Sequence, residues 1–152
     1  LGIIYLLPAF ENYELKSLVK MPKLYFCDSA LCAYLSKWLS VETLMNGAAS
    51  GHYYENYVVM EFVKAYAYSK TRANLSYYRD SNAKEIDIFI EENDMIHPIE
   101  IKKSANPDRR EVKKYSVIDK TSLKRGEGSI VCMCEEVIPI DEDNCFIPSN
   151  II

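Results

Sequence analysis

Glu85-Ile86-Asp87-Ile88-Phe89-Ile90 and Pro98-Ile99-Glu100-Ile101-Lys102 are the stretches that decide how this chain folds. Each alternates polar and apolar side chains, the period of a half-buried strand. Between them, Glu91-Glu92-Asn93-Asp94 is a polar cluster suited to a turn. A hairpin centred between Asn93 and Asp94 sets Asp87 opposite Glu100 and Glu85 opposite Lys102, with opposed Cβ atoms about 5 Å apart. Ile86, Ile88, Ile99 and Ile101 then share the other face and bury it. Opposed carboxylates destabilise a hairpin unless they are solvated, share a proton, or hold a cation between them. Two readings stay open at this point. Lys102 neutralises Glu100 on a plain polar face, or the carboxylates take Mg²⁺, an ion commonly held by one or two carboxylates plus substrate phosphates.

A third acidic residue bears on that choice. Gly51 to Ser69 reads as a helix, and Val58, Val59, Phe62 and Tyr66 follow Glu55 at i+3, i+4, i+7 and i+11. Glu55 therefore lies in the apolar stripe, where an unpaired carboxylate is costly. It is either paired with a Lys or Arg, or aimed at the same cation as Asp87 and Glu100. Glu61 and Lys64 fall on the solvated side. Gly51, one turn before Glu55, is expected on the buried side, allowing close approach.

These blocks carry a resemblance. Gly51…Glu55-Asn56…Val59…Glu61, Tyr78-Arg79-Asp80, Glu85-Ile86-Asp87, Pro98-Ile99-Glu100-Ile101-Lys102 and Ser104 are similar to the C-terminal domain of uncharacterised function (DUF4143) found in many prokaryotic AAA-type ATPases. Met21-Pro22-Lys23-Leu24-Tyr25-Phe26-Cys27-Asp28 resembles the usual lead-in of that family. The domain looks like a member of the PD-(D/E)xK nuclease-like superfamily. The resemblance covers nearly all of 1–152 as a single domain. It implies an α/β, restriction-endonuclease-like fold: a central mixed β-sheet flanked by helices, with the Glu55 helix on one side and a 107–123 helix after the hairpin. It also implies a Mg²⁺- or Mn²⁺-dependent nuclease that hydrolyses phosphodiester bonds of nucleic acid. Asp87, Glu100 and the backbone carbonyl of Ile101 would hold the metal, and Glu55 would complete the acidic cluster. Lys102 would position the attacking water or stabilise charge on the phosphate. The alternatives are a non-catalytic module that keeps the fold, binds nucleic acid or protein and couples to the ATPase, or a pure interaction domain with structural carboxylates. The chain opens on Leu1 rather than Met and is expected to be the C-terminal piece of a longer ATPase. It lacks G-x-x-x-x-G-K-[ST], so the ATP site is expected upstream of this fragment.

Composition sets outer bounds. At 152 residues, 49% apolar and 26% charged, the chain is an ordinary globular domain with room for a core. A net charge of −4 is unusual for a nucleic-acid binder, but the charge is uneven. Between Ile101 and Arg125 nine basic residues face three acidic ones, an excess of six positive charges that leaves the remainder acidic by ten. Lys103 followed by Arg110, Lys113 and Lys114 at i, i+3, i+4 reads as a basic stripe, either a solvated helix face or a rim for nucleic-acid phosphates, DNA being the expected partner. The five cysteines, Cys27, Cys32, Cys132, Cys134 and Cys145, form no C-x-x-C pair, and only His52 and His97 accompany them. Free thiols in a reducing cytoplasm fit better than zinc. There is no apolar run of membrane-spanning length and no signal-peptide pattern.

The remaining elements read as follows. Ile3–Leu7 and Lys23–Cys27 are short strands. Asp28 caps a helix over Ala30–Leu39 with Leu31, Leu35 and Trp38 on one side. Val41–Ser50 is a connector, and Leu75–Arg79 a strand closed by Asp80-Ser81-Asn82. Tyr66, Tyr68, Tyr77 and Tyr78 are expected as core rather than as base-stacking groups. Asn106-Pro107 starts the later helix, Lys124–Gly128 is a loop, and Ser129–Cys134 is an apolar strand. Two proline-bearing edge strands follow, at Val137–Pro139 and Phe146–Pro148.

Overall fold

The computed structural model describes residues 2–15, 19–69 and 73–152. β1 (Ile4–Leu7) and β2 (Lys23–Phe26) form an antiparallel ribbon. α1 (Ser29–Leu35), α2 (Val41–Asn46) and α3 (Ser50–Tyr68) follow. Next come β3 (Asn74–Arg79), β4 (Glu85–Glu92) and β5 (Met95–Lys102), then a 3-10 helix, Arg109–Lys120. β6 (Lys124–Arg125), β7 (Gly128–Cys132), β8 (Ile138–Pro139) and β9 (Asn144–Pro148) complete the sheet. Its strand order is β3-β4-β5-β7-β9-β8, with β6 beside β5. β4 runs antiparallel to both β3 and β5, β6 and β7 lie parallel to β5, β9 lies parallel to β7, and β8 is antiparallel to β9. The protein is thus a mixed α/β structure with helices on both faces of a mixed sheet.

From the turn to Ile88 the β4–β5 hairpin has the predicted register, with Ile88 opposite Ile99 and Glu92 opposite Met95, but the ladder stops there, and neither expected pair, Asp87 with Glu100 or Glu85 with Lys102, forms. Asn93 and Asp94 both take positive φ, as a type I′ hairpin turn requires. One expectation fails here. Val58, Val59, Phe62 and Tyr66 of α3 pack with Ile88, Ile90, Ile99 and Ile101. Ile86 instead joins Phe89, Ile96, Tyr115, Val117 and Ile118 against the 3-10 helix. The cause is a bulge. Ser76 pairs with Phe89 and Tyr78 with Ile86, so Tyr77 alone opposes Asp87 and Ile88. An extra residue on one strand reverses the side-chain alternation beyond it. Both faces of the hairpin are covered, and two of its carboxylates are buried rather than solvated: Asp87 is 8% exposed and Glu100 3%.

Other local readings need correction. α1 is capped by Asp28 as expected but ends at Leu35, with Leu31 and Leu35 exposed and Ala33 buried. The Val41–Ser50 connector contains α2, capped by the Ser40 hydroxyl. Gly51 is exposed, and a Cβ there would meet nothing within 4 Å, so it serves no close approach. Tyr77 and Tyr78 are core and Tyr66 packs against it, whereas Tyr68 is exposed. The later helix is 3-10 rather than α, and its cap is Asp108, whose carboxylate accepts from the Arg110 backbone N–H at 2.9 Å. At three residues per turn, Val112, Tyr115 and Ile118 eclipse one another on the core side. Lys124–Arg125 is a short strand rather than loop, and β9 lies inside the sheet, its proline at the strand end.

Gly128 lets the 3-10 helix pack closely on the sheet. A Cβ there would stand 2.7 Å from the Tyr115 ring and collide with Asn144 Oδ1. Gly128→Ala is expected to destabilise the fold by about 1–3 kcal/mol through overpacking. An unchanged urea midpoint would show that Tyr115 can move aside.

Candidate functional site

Asn56, the residue after Glu55, fixes one half of the site. Its amide accepts from Phe26 N–H at 2.7 Å and donates to Phe26 C=O at 2.9 Å, clamping the end of β2 to α3. β2 thereby delivers two side chains to Glu55. The Tyr25 hydroxyl donates to Glu55 Oε1 at 2.7 Å, and Lys23 Nζ donates to the same oxygen at 3.0 Å. Lys23 also pairs with Glu85 and stands 3.6 Å from Asp87 Oδ1. The bulge makes this convergence possible by turning Glu85 and Asp87 toward the α3 side. Glu85 therefore meets Lys23 and Arg79 rather than the Lys102 that a regular hairpin would set opposite it. Glu55 has the basic partner that its place in an apolar stripe calls for.

Glu100 belongs to the other half. Its Oε1 accepts from Lys102 Nζ at 2.6 Å and from Lys114 Nζ at 3.0 Å, and Lys114 also pairs with Glu111 at 2.6 Å. The Tyr115 hydroxyl accepts from Glu100 N–H at 3.1 Å and donates to Ser129 C=O at 2.6 Å, bridging β5 and β7. Asp87 links the halves. The backbone pairing of β4 with β5 stops at Ile88–Ile99, and beyond it Asp87 Oδ2 accepts from Ile101 N–H at 2.8 Å. The side chain thus takes over where the backbone ladder ends.

The electrostatics follow from this crowding. Burial, then the charges of Glu100 and Glu55, push the Asp87 pKa up from 3.8 to about 7, against the opposing pull of Lys23 and the Ile101 N–H. Burial works against the Lys23 ammonium, but Glu55, Asp87 and Glu85 outweigh it and hold its pKa above the ordinary value. Lys102 and Lys114 are likewise raised, burial being outweighed by Glu100 for the first and by Glu111 and Glu100 for the second. Burial and the neighbouring carboxylates keep the Tyr25 and Tyr115 hydroxyls protonated.

The residues expected to form a phosphate rim do not form one stripe. A 3-10 turn aligns Arg110 with Lys113 and turns Lys114 inward with Glu111. Arg110 and Lys113 are exposed, and Arg110 pairs with Asp108 at 2.7 Å. Lys103 points elsewhere, donating to Met45 C=O and, at 3.1 Å, to Ser50 Oγ. Lys23, Tyr25, Asn56 and Glu85 join the site without having been expected in it. The sequence marked the first two only through their place in the Met21–Asp28 lead-in block.

Two features fit a divalent cation. Glu100 Oε2 is buried with no hydrogen-bond partner among the described residues. Asp87 bears a charge that its own neighbours oppose. Among the described residues no three His, Cys, Asp or Glu side chains converge as a ready-made cage. An ion here would take two carboxylates and other hard oxygens such as the Ile101 carbonyl, an arrangement that suits Mg²⁺.

A family model described as a domain of unknown function, DUF4143, matches residues 50–152. The chain belongs to the DUF4143 family. The match contains Glu55, Asp87, Glu100 and Lys102, while Lys23 and Tyr25 of this DUF4143 protein lie outside it. No curated protein and no solved structure matches the chain. Among the described residues, no helix is long and apolar enough to cross a membrane.

Proposed function

We propose that this DUF4143 domain is a PD-(D/E)xK-type, metal-dependent nuclease-like domain that hydrolyses nucleic-acid phosphodiester bonds in the service of an AAA-type ATPase. The observation that carries the reading is the unpartnered, buried Glu100 Oε2 at the end of the hairpin that also holds Asp87 and Lys102. Asp87, Glu100 and the Ile101 carbonyl are the groups that would hold Mg²⁺ or Mn²⁺. When bound, the ion supplies Lewis acidity toward a phosphate oxygen and lowers the pKa of a coordinated water. The chain's own residues do the rest. Lys102, kept protonated by Glu100, offsets negative charge developing on the phosphate. Tyr115 holds the backbone of Glu100 in place, and Tyr25 with Lys23 orients Glu55.

A second reading rests on Lys23. Its ammonium already stands among Glu55, Glu85 and Asp87, which favours a non-catalytic module that keeps the fold and binds nucleic acid or protein. Incubation of end-labelled DNA and RNA with Mg²⁺ or Mn²⁺ separates the two. Cleavage that falls by about 10²-fold or more in Lys102→Ala supports the first. Binding without cleavage of any substrate selects the second.

The exposed basic pair gives an independent check. Arg110→Ala with Lys113→Ala is expected to weaken nucleic-acid binding and to lower its salt slope by about 2, one for each lost phosphate contact. The melting temperature should hardly move. Unchanged affinity and slope would place the binding surface elsewhere.

A further inference from the structure

A second cavity lies beside the acidic site. A groove of about 490 Å³ runs between α1, α2 and α3, where five aromatic side chains, Tyr34, Trp38, Tyr53, Tyr54 and Tyr57, stand beside an aliphatic floor that includes Leu39, Val41 and Leu44. Its size falls within the range of about 300–1,000 Å³ typical of small-molecule sites. The aromatic surface is open, with Tyr34 69% and Tyr57 40% exposed. The Trp38 ring is set in place by Gly47, where a Cβ would stand 2.6 Å from it. Two further features say what the groove receives. Tyr53 also lines the cleft of about 560 Å³ that contains Lys23, Glu55, Arg79 and Glu85, so the two cavities share a wall. Lys103, which follows Lys102 directly, sets its ammonium on Met45 C=O and Ser50 Oγ, and both residues line the groove.

We infer that the groove holds unpaired bases of single-stranded nucleic acid, stacked on these rings, while the adjoining backbone passes Lys103 toward the acidic site. This rests on the nuclease-like reading and adds a substrate class to it. Aromatic rings stack any base through its π-face, whereas a duplex keeps its bases stacked inside. Two of the three N–H groups of the Lys103 ammonium go to Met45 C=O and Ser50 Oγ, and the third is left for a phosphate of the same strand. The aliphatic floor by itself, without the rings and without a cation at the rim, would suit a partner helix instead.

Trp38 is the only tryptophan in the chain, so its emission reports on the groove directly. The protein is titrated, in chelator, with a thymidine oligonucleotide and with a duplex of equal length. Single strand is expected to quench Trp38 and to bind at least about tenfold more tightly than duplex. Tyr34→Ala with Tyr57→Ala should weaken single-strand binding by about tenfold or more. Both residues are exposed, so the fold should survive. Trp38→Phe should bind but give no signal. Equal affinity for duplex, or binding that leaves Trp38 emission and the tyrosine variant unaffected, overturns the inference. Absence of any response to single strand does so too, and leaves the groove to an apolar protein helix. Metal-dependent cutting of duplex by wild type and the tyrosine variant alike overturns the inference and keeps the nuclease reading. Quenching by single strand without cleavage of any substrate supports the inference and removes the nuclease reading.

Discussion

Lys23→Met is expected to lower the melting temperature by roughly 6–12 °C at pH 8 in the presence of chelator. Lys23 is the cation that Glu55, Glu85 and Asp87 share. Removing one partner of a buried ion pair costs about 3–5 kcal/mol, because the remaining charge is left uncompensated. Lys23 keeps some contact with solvent, at 21% side-chain exposure, so the lower end, about 3 kcal/mol, applies. For about 150 residues, 1 kcal/mol corresponds to about 2–4 °C. The sign with pH follows from the neighbours. The Lys23 pKa is raised on folding, so its stabilisation is complete below the ordinary lysine value and is lost only as pH rises through the higher folded value. Loss of the ammonium also removes the positive charge that holds the Asp87 pKa down. The variant should therefore recover as pH falls and Asp87 takes up a proton, and millimolar Mg²⁺ should restore part of the loss at pH 8. Thermal melts of wild type and variant at pH 5 and pH 8 measure this. A melting temperature indifferent to Lys23→Met would mean that the three carboxylates do not need that ammonium.

Asp87→Asn should act in the opposite direction. With a folded pKa of about 7 against an ordinary 3.8, Asp87 binds its proton more tightly in the folded state. Between about pH 4 and pH 7 the native protein holds more protons than the unfolded chain, so wild-type stability falls as pH rises through that window and levels off above it. Asn cannot ionise, and its carbonyl oxygen can still accept from the Ile101 N–H. At pH 8 in chelator the variant is expected to melt several degrees above wild type, and near pH 4 the advantage should vanish. The metal response should reverse the order. With a dissociation constant of about 1 mM, 10 mM Mg²⁺ or Mn²⁺ stabilises wild type by about 1.4 kcal/mol, or roughly 3–6 °C. The variant should lose that shift along with any cleavage. Ionic strength must be matched, since screening imitates part of the effect. Identical responses of both proteins to Mn²⁺ would remove Asp87 from any metal site.

Much of the hairpin was legible because its information is local. The turn Asn93-Asp94 and the alternation of Ile88, Ile90, Ile99 and Ile101 act over a few residues, and a one-residue slip would turn the whole apolar set outward. Glu55 within the stripe Val58, Val59, Phe62 and Tyr66 was legible for the same reason, since helical periodicity alone says that such a carboxylate needs a partner. Which partner was not legible. Lys23 is 32 residues away, and its approach depends on Asn56 clamping β2 to α3.

The chain's own order of residues thus determined the α/β character, the hairpin register from the turn to Ile88, the Asp28 cap and membership of the DUF4143 family. Tertiary packing alone decided where those side chains point. The bulge opposite Tyr77 contains no glycine to announce it, and it turned Glu85 away from Lys102 and set Ile86 on the 3-10 face. Placing Val112, Tyr115 and Ile118 together on the core side is what a three-residue turn does, and the change of helical period split Arg110 and Lys113 from Lys114. In each case short-range periodicity specifies which residues alternate. An inserted residue or a tighter turn, held by contacts distant in sequence, specifies to which side.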